Sequence, residues 1–173
     1  MKDVFETIRT VLAVRNFQDK PVPAETIQRI VEAAWLTGSS MNLQPWHFVV
    51  VEDREMLMKL GAAARTGPYT AQAAFAVVVA IEKTEYAESD ASRAIQSMML
   101  AAWAEGVGSN WVGFYGLETA GLLLGIPENL DVLAIVPFGY PALRDEAAKV
   151  KRSRKKRKPL AQVAHRGQFG RPF

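Results

Sequence analysis

Residues 74 to 82 read AFAVVVAIE, and this stretch decides the fold class. Its apolar, largely β-branched residues follow one another without a polar interruption, which is typical of a strand buried on both faces. Such a strand requires a covering layer on each side of its sheet. We therefore expect a central sheet with helices packed against it.

Helical and extended patterns alternate on both sides of this strand. The predicted helices cover residues 3–13, 24–36, 54–64, 89–106 and 117–125, and residues 159–165 could form another short one. Asp53 is the expected N-cap of the third helix, and the fourth is apolar over so wide an arc that we expect it deep in the core. The other predicted strands cover residues 47–52 and 131–141, with residues 109–116 as a short strand or extended loop. The pattern predicts an α/β or α+β sandwich whose sheet need not be purely parallel.

Composition indicates a globular chain of one domain. The 173 residues are 49% apolar and 23% charged. There is no cysteine, which excludes disulfides, thiolate catalysis and cysteine-based metal sites. Neither a signal-peptide core nor an apolar run long enough to span a membrane appears, so the expected location is the cytoplasm.

Positive charge is concentrated near the end of the chain. Residues 149–158, KVKRSRKKRK, hold 8 of the 21 basic residues, which leaves 13 basic and 18 acidic residues elsewhere. This run has three interpretations: a solvated tail, a contact to nucleic acid, or a clamp for a phosphate. The nucleic-acid interpretation lacks interleaved aromatic residues and a basic domain face.

Familiar catalytic signatures are missing. The sequence contains neither a phosphate-binding P-loop, nor a glycine-rich dinucleotide fingerprint after a strand, nor a nucleophile elbow. His47 and His165 are the only histidines, and neither has a second ligand at metal-binding spacing. We expect packed or surface imidazoles and no metal site.

The loop before the predicted strand at residues 47–52 is more polar than a turn requires. Residues 38–51 read GSSMNLQPWHFVVV, and Ser40, Asn42 and Gln44 are in excess of the turn signal at Gly38 and Ser39. Either the loop packs against itself or it holds a ligand. Arg15 raises a similar choice between a cation that favours a helix C-terminus and a fixed charge in a cleft.

Six blocks taken in order resemble the nitroreductase family. They are AVRNFQDKPV, SSMNLQPWHFVVVE, AEGVGSNWVGF, LLLGIPEN, FGYP and KKRKPLAQVAH, spread from about Phe5 to His165. The resemblance implies an α+β fold with a central mixed sheet flanked by helices, as one domain over residues 1–173. It also implies a homodimer with FMN bound non-covalently at the subunit interface, and residues 149–173 packing as an arm on the partner.

The resemblance also implies an activity in which flavin takes hydride from NADH or NADPH and passes electrons to nitroaromatics, quinones or similar acceptors by a ping-pong scheme. The cofactor carries this chemistry, which accounts for the missing catalytic side chains. Arg15 matches the cation beside the flavin pyrimidine, and Lys155 and Arg157 match a phosphate clamp. The other matching positions are Ser39, Ser40, Asn42 and Gln44, in the family largely from the partner chain, and Val112, Gly113 and Phe114.

One block departs from the family pattern. Val11, Leu12 and Ala13 stand where members usually have two cations and a serine that grip the phosphate. Losing two charge-assisted contacts of about 1.5–3 kcal/mol each would weaken binding by roughly two to four powers of ten. Arg9, one helical turn before Ala13, is the expected compensation, and Arg65 is a further candidate contact. A flavin-binding protein with little turnover is therefore the alternative, and nucleic-acid binding through residues 149–158 a weaker one.

Overall fold

The structure is a computed structural model of the chain, and it describes residues 3–113, 115–142 and 157–173. The chain divides into two compact units, Met1–Ala142 and Leu143–Phe173. Two of the predicted site residues, Phe114 and Lys155, lie outside the described residues, as does most of the basic run. The arrangement of residues 149–173 as an arm on a partner stays a prediction.

A four-stranded sheet lies at the centre of the first unit. Its strands are β1 (Trp46–Val51), β2 (Phe75–Glu82), β3 (Gly108–Ser109) and β4 (Leu130–Gly139), in the order β1-β2-β4-β3. Every neighbouring pair is antiparallel. The parallel component expected of a mixed sheet is confined, in the described part of the chain, to an isolated bridge between Ala13 and Ser109.

Helices cover both faces of the sheet, as the central strand predicted. They are α1 (Val4–Thr10), α2 (Ala24–Trp35), α3 (Arg54–Ala63), α4 (Ala87–Ala104) and α5 (Leu117–Leu123). Alternate residues of β2 point to opposite faces, so Val77 and Val79 pack with α2 and α4, whereas Ala76 and Val78 pack with α3 and α5. Burial of β2 from Phe75 to Ile81 confirms the prediction of a strand covered on both sides.

Helix α4 is the longest element of the described chain. Its 18 residues correspond to a length of about 27 Å. Ala91, Ala94, Ile95, Met98 and Ala102 are fully buried, which confirms the expected deep position. The small alanine side chains let the helix approach the sheet closely.

Helix α1 is shorter than predicted. It ends at Thr10, and Val11 already has extended backbone with ψ 136°. The chain straightens because the N–H of Val14 donates to the carbonyl of Ser109 at 2.9 Å, which adds residues 13–14 to the β3 edge of the sheet. The predicted boundary at residue 13 was wrong because an edge pairing replaced the last helical turn.

Two other local predictions are resolved by the structure. The carboxylate of Asp53 accepts from the N–H of Met56 at 2.8 Å, which confirms it as the cap of α3. In the second unit the predicted short helix is a single 3₁₀ turn at Leu160–Gln162. None of the helices in the described ranges has both the length and the apolar character needed to cross a membrane.

Candidate functional site

The polar loop before β1 has strained backbone. Met41, Asn42 and Gln44 adopt φ of 52°, 56° and 50°, a region that residues other than glycine seldom occupy. Part of the loop's polarity holds this shape, because the Ser39 hydroxyl accepts from the N–H of Gln44 at 2.9 Å. The Gln44 amide donates to the Asn42 carbonyl at 3.3 Å. Strain kept by dedicated hydrogen bonds is typical of functional loops.

Asp90, in the first turn of α4, anchors the same loop. Its carboxylate is fully buried and accepts from Ser40 twice, from the N–H at 2.9 Å and from the hydroxyl at 3.2 Å. Arg93 forms an ion pair with the same carboxylate. The loop is therefore tied to α4, while the side chains of Asn42 and Gln44 stay exposed.

These contacts govern the ionisation of Asp90. Burial alone would raise the pKa of this carboxyl, but the hydrogen bond from the Ser40 N–H, together with Arg93 and the Ser40 hydroxyl, lowers the pKa below its ordinary value. The ionised form is thus the one that the folded protein favours.

We predict that Asp90 contributes to acid sensitivity. Because its folded pKa lies below its unfolded pKa, its stabilising contribution is present above the unfolded value and is lost as pH falls through the folded value. Chemical denaturation at several acidic pH values should show a shallower loss of unfolding free energy for Asp90→Asn than for the wild type. Equal slopes for both proteins would contradict the prediction.

Arg15 lies in the extended segment that follows α1. Val14 and Phe17 on either side are buried, and Phe17 bridges Pro141, so the backbone of this segment is fixed. Arg15 itself is exposed and has neither an ion pair nor a hydrogen bond within the described residues. Since α1 ends five residues earlier, the idea that Arg15 compensates a helix C-terminus was wrong.

Val112 and Gly113 have different roles. The N–H and carbonyl of Val112 both pair with Ile135, at 2.9 and 2.8 Å, and its side chain is buried. Gly113 is partly exposed, and its backbone has no hydrogen bond among the described residues. A Cβ at Gly113 would lie 2.3 Å from the indole Nε1 of Trp111, so glycine is required where the chain passes this ring. Within the described residues the backbone of Gly113 is therefore unpaired, whereas that of Val112 is fully paired.

Two hydroxyls of the first unit are buried without a hydrogen-bond partner among the described residues. Ser109, whose carbonyl holds Val14, has a buried Oγ without a hydrogen-bond partner in the described chain, as does Thr70. Asn110 next to Ser109 donates to the hydroxyl of the half-buried Tyr69. Polar groups of this kind need a partner, which water or a polar ligand supplies. Among the exposed groups, the cation of Arg15 and the amides of Asn42 and Gln44 are of the kind that fits a polar, anionic ligand such as FMN.

The predicted site residues form two separate groups within one chain. The loop at residues 39–44 precedes β1 and contacts Asp90 near the start of α4. Arg15 and Gly113 belong to the opposite edge of the sheet, where Trp103 near the end of α4 donates to Thr10 at 3.0 Å. Asp90 and Trp103 are separated by about 20 Å along the helix. The loop and the segment that leads to Arg15 are therefore anchored at opposite ends of α4.

The helical-face argument for compensation by Arg9 was wrong, whereas a contact from Arg9 to the phosphate stays a prediction. Ala13 is outside α1, so Arg9 does not share a helical face with it, and Arg9 pairs with Glu6. Arg65, the further candidate for a flavin contact, lies over the ring of Tyr115 at 5.6 Å. Its contact to a flavin stays a prediction.

Other parts of the chain add less to the site. Arg157 is exposed in the second unit. A groove of about 830 Å³ runs between α5 and β4 and includes Tyr115 and Gly116, but none of the predicted site residues that the structure describes lines it. Searching the described ranges reveals no group of three His, Asp or Glu side chains able to hold a metal ion.

Sequence reasoning missed Asp90. In the sequence it is an acidic residue in a first helical turn, where acids are common for their interaction with the helix dipole. Its partner Ser40 lies 50 residues away, so no local spacing links the two. The one available signal was the adjacent Arg93, one turn along the helix.

Known proteins of similar sequence belong to the family that the sequence blocks resemble. The nitroreductase family model matches residues 9–86 and 65–140. A relative from Archaeoglobus fulgidus, named provisionally as an NADH dehydrogenase/NAD(P)H nitroreductase, is 39% identical over 151 residues, covering 82% of this chain and 87% of that protein. The NADPH-flavin oxidoreductase of Vibrio harveyi is 28% identical over 98% of this chain and 75% of its own length.

Solved structures show the same likeness. A structure from Bacteroides thetaiotaomicron, named provisionally in the same way, superposes with a TM-score of 0.86 and 29% identity, covering 98% of this chain and 99% of that one. The ordered sequence blocks, the helix-covered sheet and these matches together place the chain in the nitroreductase family.

Proposed function

We propose that the protein is an FMN-dependent oxidoreductase that takes hydride from NADH or NADPH and reduces nitroaromatics, quinones or similar electron-poor acceptors by a ping-pong scheme. The observation that carries the proposal is Arg15: an exposed cation on backbone that is fixed by the bond from Val14 to Ser109 and by the bridge from Phe17 to Pro141. The names of the relatives from Archaeoglobus and Vibrio support the nicotinamide and flavin parts.

Each residue group would serve the cofactor in a distinct way. FMN, when bound, supplies the ability to accept and return a hydride. The Arg15 guanidinium provides a permanent positive charge that favours the arrival of negative charge at the site. The hydroxyls and amides of Ser39, Ser40, Asn42 and Gln44 orient the ligand, and Lys155 with Arg157 would neutralise its phosphate.

The separation of the two groups supports a site made by two chains. The loop at residues 39–44 is bonded to the start of α4, whereas Thr10, which precedes the segment of Arg15, is bonded near the end of α4. A symmetric dimer would set the loop of one chain against Arg15 of the other. Both regions carry uncovered apolar side chains that a partner would bury. These are Val4, Phe5 and Ile8 on α1, and Met41 and Leu43 in the loop.

An absorbance spectrum tests the proposal most directly. Purified protein titrated with FMN should bind one flavin per chain, and adding NADH or NADPH without oxygen should bleach the flavin band. A quinone or nitroaromatic added next should restore it. Protein that takes up no FMN would contradict the proposal.

A flavin-binding protein with little turnover is the second candidate, because Val11, Leu12 and Ala13 offer no phosphate contact from a charged or hydroxyl side chain. The two candidates differ in rate and not in stoichiometry. With FMN saturating, reduction of a quinone at several turnovers per second would exclude the second candidate. Bleaching by nicotinamide slower than one turnover per minute would favour it.

We predict that Lys155→Ala combined with Arg157→Ala lowers FMN affinity at least about tenfold, because two charge-assisted phosphate contacts are lost. Fluorescence titration of FMN measures the change. Riboflavin, which lacks the phosphate, should lose little affinity. The double variant Arg166→Ala with Arg171→Ala removes equal charge from the same tail and should leave FMN binding nearly unchanged. Unaltered affinity in the first variant would show that the clamp lies elsewhere.

A further inference from the structure

Asp90 is a buried acid that the resemblance leaves unassigned. It is fully buried, and its Oδ2 accepts the Ser40 N–H at 2.9 Å while Oδ1 accepts the Ser40 hydroxyl at 3.2 Å. Burying a carboxylate is costly unless its oxygens are well bonded. Here the bonds come from a loop residue that belongs to the proposed flavin site. The Asp90 carboxylate therefore also connects the start of α4 to the loop at residues 39–44.

We propose that Asp90 is a positioning residue for the flavin site, one that holds the loop at residues 39–44 and makes the Ser40 hydroxyl an acceptor toward the ligand. This inference rests on the proposed function, since it concerns how the loop would contact FMN. Asp90 itself does not touch the ligand in this arrangement.

The first part of the argument is mechanical. Three residues of the loop, Met41, Asn42 and Gln44, have positive φ, so the loop does not keep this shape through backbone preference alone. Within the loop, the Ser39 hydroxyl bonds the Gln44 N–H. The bonds from Ser40 to Asp90 attach the loop to the buried helix α4. Without them the loop would be joined to α4 less firmly.

The second part concerns the direction of the hydroxyl groups. An ionised carboxylate can only accept hydrogen bonds, so the Ser40 hydroxyl donates its one proton to a hydrogen bond with Asp90. Toward a ligand it can therefore act only as an acceptor. The Ser39 hydroxyl can act as a donor toward a ligand, because its oxygen accepts from the N–H of Gln44 and its proton has no acceptor among the described residues. Ser40 therefore suits a hydroxyl of the ribityl chain, whereas phosphate oxygens, which accept, suit Ser39.

Three substitutions and a control separate these effects. Asp90→Ala removes both bonds to Ser40, Asp90→Asn keeps an acceptor for the N–H but presents an amide donor to the hydroxyl, and Ser40→Ala removes the hydroxyl. Glu88→Gln is the matched control, because Glu88 is an exposed acid in the same helical turn. Hydrogen exchange of residues 39–44 is measured in flavin-free protein, and dissociation constants for FMN and riboflavin are measured by fluorescence.

The proposal predicts a distinct result for each variant. Asp90→Ala should accelerate amide exchange at Ser40 and raise the FMN dissociation constant, each at least about tenfold. Asp90→Asn should keep amide exchange near the wild-type rate but raise the FMN dissociation constant about fivefold. Introduced into the Ser40→Ala variant, the same substitution should raise that constant less than about twofold. Ser40→Ala should weaken FMN and riboflavin by the same factor. Glu88→Gln should change nothing.

Several outcomes would overturn it. Flavin affinities that stay at the wild-type value in Asp90→Asn and Asp90→Ala would remove the positioning role. A loss on Ser40→Ala that appears with FMN but not with riboflavin would place Ser40 on the phosphate instead. If Asp90→Ala does not fold, the asparagine variant and its double mutant decide. Failure of the proposed function is distinguishable, because the wild type would then bind neither flavin while loop exchange still responded to Asp90→Ala.

Discussion

Two inactive variants should restore flavin binding when they are combined in one dimer. The first carries Arg15→Glu, and the second carries Ser39→Ala, Ser40→Ala and Asn42→Ala. In a two-chain site, a heterodimer has one site with both defects and one site with none. Mixed in equal amounts with free subunit exchange, the chains should recover about a quarter of the wild-type sites, and a purified heterodimer about half.

The reason is the distance between the groups that these variants remove. The loop is bonded to the start of α4, and Thr10, which precedes the segment of Arg15, is bonded near the end of α4. In the proposed dimer each intact site therefore requires one group from each chain. Differently tagged chains, co-expressed and purified through both tags, provide the heterodimer, and its flavin content and NADH-driven reduction are the measurements. A heterodimer of Arg15→Glu with Arg15→Ala is the control and should stay inactive. No recovery in the first heterodimer would mean that each site lies within one chain.

Gly116→Ala should cause the largest loss of stability among the glycine substitutions in this region. Gly116 caps α5 with φ 85°, and a Cβ there would lie 1.9 Å from the carbonyl oxygen of Ala63. Backbone strain and overpacking together should lower the unfolding free energy by about 3 kcal/mol. Urea denaturation followed by circular dichroism measures the loss.

Gly125→Ala is the matched control at the other end of α5. Gly125 also has positive φ, 65°, but a Cβ there would meet no atom within 4 Å. Its cost should be that of the backbone conformation alone, about 1 kcal/mol. If both variants lost the same stability, the contact with Ala63 would not matter.

Because Gly116 follows Gly113 closely in sequence, Gly116→Ala should also weaken FMN binding in protein that remains folded.

The central sheet and its helices were predictable because their signals are local. The uninterrupted apolar run of β2 requires two covering layers, and Asp53 could be identified as a cap from its position alone. The end of α1 was not predictable in this way. Val11 and Ala13 continue an apolar helical pattern, and the bond from Val14 to Ser109 that ends the helix joins residues far apart in the sequence.

The candidate site was likewise predictable from the sequence only in part. Residue types identified the polar loop and Arg15, since surplus amides, hydroxyls and an isolated cation are visible without a fold. Their internal partners were not visible. The sequence does not say that Ser39 bonds Gln44, that Ser40 bonds Asp90, or that both backbone groups of Val112 pair with Ile135. Each of these facts depends on which distant segments the folded chain brings together.

The position of α4 between the two groups links cofactor binding to mass action. If every complete flavin site contains residues of two chains, dilution that dissociates the dimer also removes the sites. The apparent FMN dissociation constant should then rise as total protein falls below the dimer dissociation constant, and saturating FMN should shift the chains toward dimer by the same free energy. A flavin affinity for this protein therefore has meaning only together with the protein concentration at which it was measured.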